Sequence, residues 1–213
     1  MNENSRLFGL KTKRDWGQVR AKIILNINDG INWEEAFELF ELRLNTRYFE
    51  PINAILSLRE YKGEGFAAIT LVCSLVEFLQ SSFEGKYYVY KASEIGAIYS
   101  KSKEMFIRFL TSHKPFNEVF NDYKKAEGFY KNIRCGLLHE AATKEDWTIL
   151  RSSSNCFVDI NNKVLYTDEF IKAIKVYIED YKQSILKNED NLRFHLARKL
   201  DKLADIKEEG AWW

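Results

Sequence analysis

Residues 65–83, GFAAITLVCSLVEFLQSSF, are apolar nearly all the way round a helix. A helix without a polar face must be covered on every side. The stretch therefore predicts a central, buried helix with other elements packed around it. Its most apolar part, 66–79, holds about fourteen residues, Ser74 and Glu77 among them, and falls short of the roughly 20 needed to cross a bilayer. The opening segment MNENSRLFGLKTKRDW lacks the apolar centre of a signal peptide. The expectation is a soluble, cytoplasmic protein with no membrane partner.

The surrounding pattern is helical. Asn32 can cap a helix beginning Trp33-Glu34-Glu35 and running over 33–44, and Pro51 suits the first turn of another over 51–60. A helix over 92–111 ends near His113 and Pro115. The next starts near Phe116, with apolar Val119, Tyr123, Ala126, Tyr130, Ile133 and Leu137 every three or four residues. The period then changes. WTILRSS, CFVDI and KVLY read as short strands, and Asn161-Asn162 suits a two-residue hairpin turn. Thr167, followed by Asp168 and Glu169, is a natural N-cap for a helix with Phe170, Ile174, Tyr177, Tyr181 and Ile185 on its buried stripe. A charged, amphipathic helix over 189–208 closes the chain. The expected fold is all-α, a helical bundle with a small β-hairpin insertion around 147–166. With 213 residues, two prolines and no Gly/Ser linker, one domain spanning 1–213 is expected.

Thirty-two basic and 31 acidic residues nearly cancel, so no global field recruits a polyanion and any anion site is local. Cys73, Cys135 and Cys156 are odd in number and widely spaced. They form neither a disulfide framework nor a CxxC metal knuckle, as in a reducing compartment.

The segment FYKNIRCGLLHEAATK, 129–144, sets Arg134 and His139 in an otherwise apolar context. Histidine can give or take a proton near neutrality, and arginine presents a permanently charged fork that fits phosphate oxygens. At about 100° per residue, five positions carry His139 roughly 140° around a straight helix from Arg134. The two meet in one site only if Gly136 distorts the helix, if it ends near Leu138, or if two copies of the chain face each other. The plain structural alternative pairs Arg134 with a carboxylate and places His139 at the helix C-terminus, where a cation is favourable.

Arg134-Cys-Gly-Leu-Leu-His139, late in a helix of an all-α bundle and preceded by AAITLVCSLVEFLQSSFEGK, resembles the R-x4-H motif of the HEPN superfamily. The resemblance covers roughly residues 33–187, with its specificity concentrated in 129–147. It implies a homodimeric, metal-independent endoribonuclease, often a toxin or phage-defence effector with an antitoxin or other defence partner; some members are inactive binding modules. It gives His139 the proton-transfer role and Arg134 the phosphate role, with RNA as partner, no metal and no cofactor. Active members commonly carry Asn, Asp or His directly after the arginine, where this chain has Cys135, a weak hydrogen-bonding group. That departure leaves open a silent module binding RNA, nucleotide or protein.

Other residues can support the site. Glu77, the lone charge in its apolar run, is either an orienting partner for Arg134 or His139 or a solvated carboxylate, and Ser74 lies one turn earlier. Lys131, Asn132 and Lys144 flank the motif as possible RNA contacts. Glu34, Glu35, Glu38 and Glu41 share a helix face without a Glu-x-x-His companion, and read as solvated. His113 and His195 read as surface or helix-flank residues. Arg193, Arg198, Lys199 and Lys202 give the last helix a basic side, diluted by Asp190, Asp201 and Asp205, suited to a partner or to RNA. Trp212-Trp213, if exposed, favour burial in an interface.

Overall fold

The computed structural model describes residues 5–60, 62–93, 95–152, 156–189, 191–207 and Trp212. Helix takes 64% of the chain and strand 9%, so the fold is mainly α. Strands β1 (Arg6–Phe8) and β2 (Lys11–Thr12) lead into helices α1 (Lys13–Leu25) and α2 (Gly30–Leu44), which a π-helical turn, Asn45–Phe49, joins to α3 (Glu50–Ser57). Then come α4 (Glu64–Phe83), strands β3 (Tyr87–Tyr88) and β4 (Ile98–Tyr99), and α5 (Ser102–Ser112). Next are α6 (Phe116–Val119), α7 (Tyr123–Phe129), a second π-helical turn, Tyr130–Cys135, and α8 (Gly136–Glu140). Strands β5 (Thr148–Leu150), β6 (Val158–Asp159) and β7 (Val164–Tyr166) precede α9 (Thr167–Leu186) and α10 (Leu192–Leu203).

Several local expectations are corrected. Asp29, not Asn32, caps α2 by accepting from the Ile31 N–H at 3.0 Å; Asn32 is buried and donates to the Lys22 carbonyl. Pro51 does not open a separate helix. It has no N–H to donate and would crowd the carbonyl four residues back, and the π turn just upstream loosens that ladder. Residues 92, 93 and 95–101 are not helical: β4 lies among them and pairs in parallel with β3, Gly96 turns at φ 61°, and Ile95 is exposed. The helix expected from Phe116 breaks after Val119 and restarts where the Asp122 carboxylate accepts from the Lys125 N–H at 2.9 Å. The insertion is a three-stranded sheet in the order β5-β7-β6, with β5 parallel and β6 antiparallel to β7. Its turn spans four residues, with the positive φ at Lys163 and the Asp159 carboxylate accepting from the Asn162 N–H. Thr167 lies within α9, its hydroxyl donating to the Leu150 carbonyl. The last helix is shorter than 189–208; Asp190 and residues 208–209 lie outside the described residues.

Helix α4 has 20 residues, six more than its apolar centre, and is long and apolar enough by composition to cross a membrane; 56% of its most apolar window is buried inside the fold.

The described residues cluster into two compact units. The first draws on Met1–Pro51, Ser81–Ser100 and Asp180–Trp213, the second on Ile52–Gln80 and Lys101–Glu179. In the first, Trp16, Trp33, Phe37, Phe40 and Trp212 are fully buried. Trp212 is therefore a core residue rather than an interface residue; Trp213 lies outside the described residues. Three of the four cations expected on the basic side of α10 are spent internally, and of the four only Lys202 is exposed. Buried Arg193 donates to the last carbonyls of α9, Ile185 and Leu186, both at 2.8 Å, where the helix dipole favours a cation. Arg198 donates to the Trp212 carbonyl, and buried Lys199 to the Lys86 carbonyl and the Ser81 hydroxyl. Of the glutamates on α2, Glu35 pairs with Lys22 and Glu41 with Lys182.

Half-buried His195 donates from Nδ1 to the Phe83 carbonyl at 2.7 Å, and Gly85, at φ 62°, passes so close that a Cβ would lie 2.7 Å from His195 Cα. Burial holds this imidazole below its ordinary 6.5, against the opposing pull of the Phe83 carbonyl. Above about pH 6.5 both states are neutral here; below it the unfolded chain takes up a proton that the folded site resists. Stability should fall as pH drops below that value, and His195→Gln should flatten the fall. Urea denaturation of both proteins between about pH 7.5 and 5 measures it.

In the second unit aromatic rings form a continuous core. Phe109 meets Tyr177 edge-on at 4.7 Å, Phe116 meets Phe170 at 5.3 Å, and Phe129 stacks on Phe170 at 5.8 Å and meets Trp147 at 5.5 Å. Half-buried His113 caps α5, its Nε2 2.9 Å from the Gln80 side-chain oxygen.

Candidate functional site

Arg134 and His139 belong to one helical run, α7 through the π turn to α8. A π turn inserts an extra residue, so positions five apart share a face. Tyr130 and Cys135 are so spaced, which sets the thiol beside the Tyr130 phenol. Burial first, and then the neighbouring thiol, push the Tyr130 phenol up to about 12, although Arg134 opposes the shift. The Tyr130 ring is a platform for Arg134, whose guanidinium carbon lies 5.4 Å from the ring centroid. The same ring packs edge-on against Phe106 at 5.4 Å.

The second support of Arg134 comes from α4. Glu77 Oε2 lies 3.9 Å from Arg134 Nη2, while its Oε1 accepts from the Ser102 hydroxyl at 2.8 Å. Both side chains are about four-fifths buried, at 19% and 18% exposure. Of the partners weighed for Glu77, Arg134 lies nearest, as an ion pair rather than a hydrogen bond. Ser74, one turn earlier, points into solvent. Cys73 lies in the electrostatic reach of Arg134 and Cys135, and burial pushes its thiol up to about 12. It is inert as a nucleophile near neutrality.

His139 is exposed on the last turn of α8, and its imidazole makes no hydrogen bond or ion pair with the described residues. The two distortions that could have drawn it toward Arg134 do not do so. The π turn ends at Cys135, one residue past Arg134, so the residues from there to His139 run as α-helix and the divergence stays at roughly 140°. The helix continues past Leu138 to Glu140.

Gly136 serves a different purpose from bending the helix. The chain leaves α8 through Ala141 in the left-handed region, at φ 52°, and Ala142 N–H returns to the Gly136 carbonyl at 3.4 Å. This is the hydrogen-bond pattern of a helix C-terminus closed by a left-handed residue. The following strap lies against Gly136, where a Cβ would collide with the Ala142 carbonyl oxygen. Asn132, buried, clamps the strap: its carbonyl accepts from Lys144 N–H at 3.0 Å and its amide donates to the Glu145 carboxylate at 3.2 Å. It is a structural brace rather than an exposed contact.

Lys131 and Lys144 are exposed near the motif. Lys131 lies 3.3 Å from Glu127, which Lys103 also pairs, and Lys144 lies 3.7 Å from Glu140. The Lys103 hydrogen bond holds the Glu127 carboxyl below its usual value. Tyr130, Ser102 and Glu145 were missed as participants from sequence. Only Tyr130 left a signal, since residues four apart on a helix are neighbours. Among the described residues no group of three or more His, Cys, Asp and Glu is placed to hold a metal ion.

No family model matches the chain, and no curated protein or solved structure matches it significantly.

Proposed function

We propose that this protein is a metal-independent endoribonuclease of HEPN type, acting as a homodimer. The observation that carries the proposal is the contrast between the two motif residues. The guanidinium of Arg134 is oriented by Tyr130 and Glu77, whereas His139 is exposed and uncommitted. In the reaction, a ribose 2′-oxygen attacks phosphorus and the bond to the 5′-oxygen breaks. One histidine takes the 2′ proton or protonates the departing oxygen, and an arginine offsets the charge on the phosphoryl oxygens. Because Arg134 and His139 diverge on their own helix, the site combines His139 of one protomer with Arg134 of the other. Defence or toxin activity, with a protein antagonist, is the biological setting that the resemblance implies.

A specific observation favours a second reading, a binding module without catalysis. Cys135 lies beside the Tyr130 phenol, and a thiol is too weak a hydrogen-bonding group to orient His139 as an amide or carboxylate would.

Incubation with mixed RNA in EDTA separates the two. The first reading expects cleavage that falls about 10²- to 10⁴-fold in His139→Ala, and is also lost in Arg134→Ala. Mixing the two inactive variants should restore on the order of a quarter of the wild-type rate after subunit exchange, since half the dimers then hold one intact composite site. Cleavage unchanged in both variants removes the site. No cleavage, with RNA retained by the wild type, leaves the binding module.

A further inference from the structure

The second unit holds a basic cavity that shares no residue with the Arg134 cluster. It has a volume of about 780 Å³ and lies between the end of α3 and the first turns of α9. Arg59, Arg151, Lys172 and Lys175 line it against two carboxylates, Asp168 and Glu169. In a chain whose charges nearly cancel overall, this is a local surplus of cations.

The arginines are placed differently. Arg151 is fixed: its Nε lies 2.9 Å from Asp168 Oδ1, and its Nη1 donates to the Leu56 carbonyl at 3.0 Å. That leaves Nη2 to face a ligand. Arg59 sits at a left-handed backbone position, φ 53°, and its guanidinium makes no hydrogen bond or ion pair with the described residues. Two guanidinium groups, one held and one uncommitted, suit the oxygens of a dianion.

The cavity continues into a smaller cleft of about 280 Å³, whose wall also includes Arg59 and Arg151. Phe66, Ile149 and Leu150 give it an apolar surface. Its other polar side chains are already engaged. The Thr167 hydroxyl donates to the Leu150 carbonyl, and the Glu64 carboxylate accepts from the Glu60 and Lys62 N–H groups at 2.6 and 2.7 Å. Beyond the arginines, then, the described side chains that line this cleft leave none uncommitted to read a base edge or a sugar hydroxyl. A cationic chamber opening on a small apolar cleft selects a ligand with the same two parts.

We infer that the paired cavities bind a phosphomonoester with an apolar body, the phosphate between Arg59 and Arg151 and the body against Phe66, Ile149 and Leu150. Near neutrality the phosphate carries close to two negative charges. Lys172 and Lys175 add to the field that draws it in.

Calorimetric titration of the full chain with 1-naphthyl phosphate, inorganic phosphate and 1-naphthol tests the inference. Naphthyl phosphate should bind saturably, inorganic phosphate about tenfold or more weakly, and naphthol not measurably. Arg59→Asn keeps a residue that tolerates the left-handed backbone and removes the charge. It should weaken naphthyl phosphate about tenfold and leave the thermal midpoint unchanged. Leu150→Asn, on an exposed strand position, should weaken naphthyl phosphate while leaving inorganic phosphate as before. Equal binding of naphthol, unaltered affinity in Arg59→Asn, or no saturable binding of naphthyl phosphate overturns the site. RNA takes no part in the test, so its outcome is separate from that of the Arg134–His139 proposal.

Discussion

Asp201→Ala should destabilise the protein by about 3–5 kcal/mol, a large share of the 5–15 kcal/mol that holds a typical domain. Asp201 is fully buried. Its Oδ1 accepts from the Trp16 indole at 2.8 Å and from Arg20 Nε at 2.9 Å, and its Oδ2 accepts from the Trp212 indole at 2.8 Å. Alanine removes the acceptor that three donors share, one of them a guanidinium that is itself 8% exposed. Taking one partner from a buried ion pair costs more than the pair contributed, so the Arg20 contact carries a large part of the loss. Asp201→Asn should fall between, because an amide keeps one acceptor oxygen but turns an N–H toward one of the donors. In the double variant Arg20→Met with Asp201→Ala, the loss should be smaller than the sum of the single losses. Urea denaturation followed by tryptophan fluorescence reads both quantities, since Trp16 and Trp212 flank the carboxylate. A loss under about 1 kcal/mol for Asp201→Ala would show that the carboxylate contributes no more than an ordinary surface contact.

Gly136→Ala should also destabilise, by about 1–3 kcal/mol, and the sign is the informative part. At an open helical position alanine is about 1 kcal/mol better than glycine, so an ordinary helix would gain stability. Here the added Cβ meets the Ala142 carbonyl, a backbone atom that cannot rotate away. The strap must lift, and with it the Asn132–Glu145 hydrogen bond. Gly136→Val should cost more. Thermal unfolding of the two variants checks the order, and amide exchange should show Lys144 N–H, bonded to the Asn132 carbonyl, losing protection first. Wild-type or higher stability for Gly136→Ala would mean that the strap yields without cost. Because His139 lies on the turn closed by this strap, the proposed ribonuclease function carries the further expectation that any RNA cleavage falls with the strap's order.

The candidate site was legible in part. Arg134 and His139 stood out by residue type and spacing, and their divergence follows from helix geometry without coordinates. Whether Glu77 served Arg134, His139 or solvent did not, because α4 and the π turn are 57 positions apart at Glu77 and Arg134 and their contact is tertiary. The π turn itself carries no reliable sequence signature. It sets Tyr130 toward Cys135, and so decides which neighbour the thiol has. Gly136 invited the inference of a distorted helix. Its actual cause, a strap passing over the α-carbon, lies in residues that follow the helix.

Local physics accounts for what the sequence determined alone. The buried stripe of α9, Phe170 to Ile185, the existence of the long apolar α4 and the three short strands all follow from apolar period and β propensity, which act over a few residues. Tertiary structure decided whatever required groups distant in sequence to meet. The cations of α10 read as a basic face because their spacing is helical, yet Arg193 and Lys199 are buried on main-chain carbonyls. Trp212 read as an exposed aromatic because nothing near it in sequence covers it, yet it donates to a carboxylate that also holds Trp16, 185 residues before Asp201. A buried charge is stable only with partners placed around it, and the arrangement of those partners is a property of the folded chain.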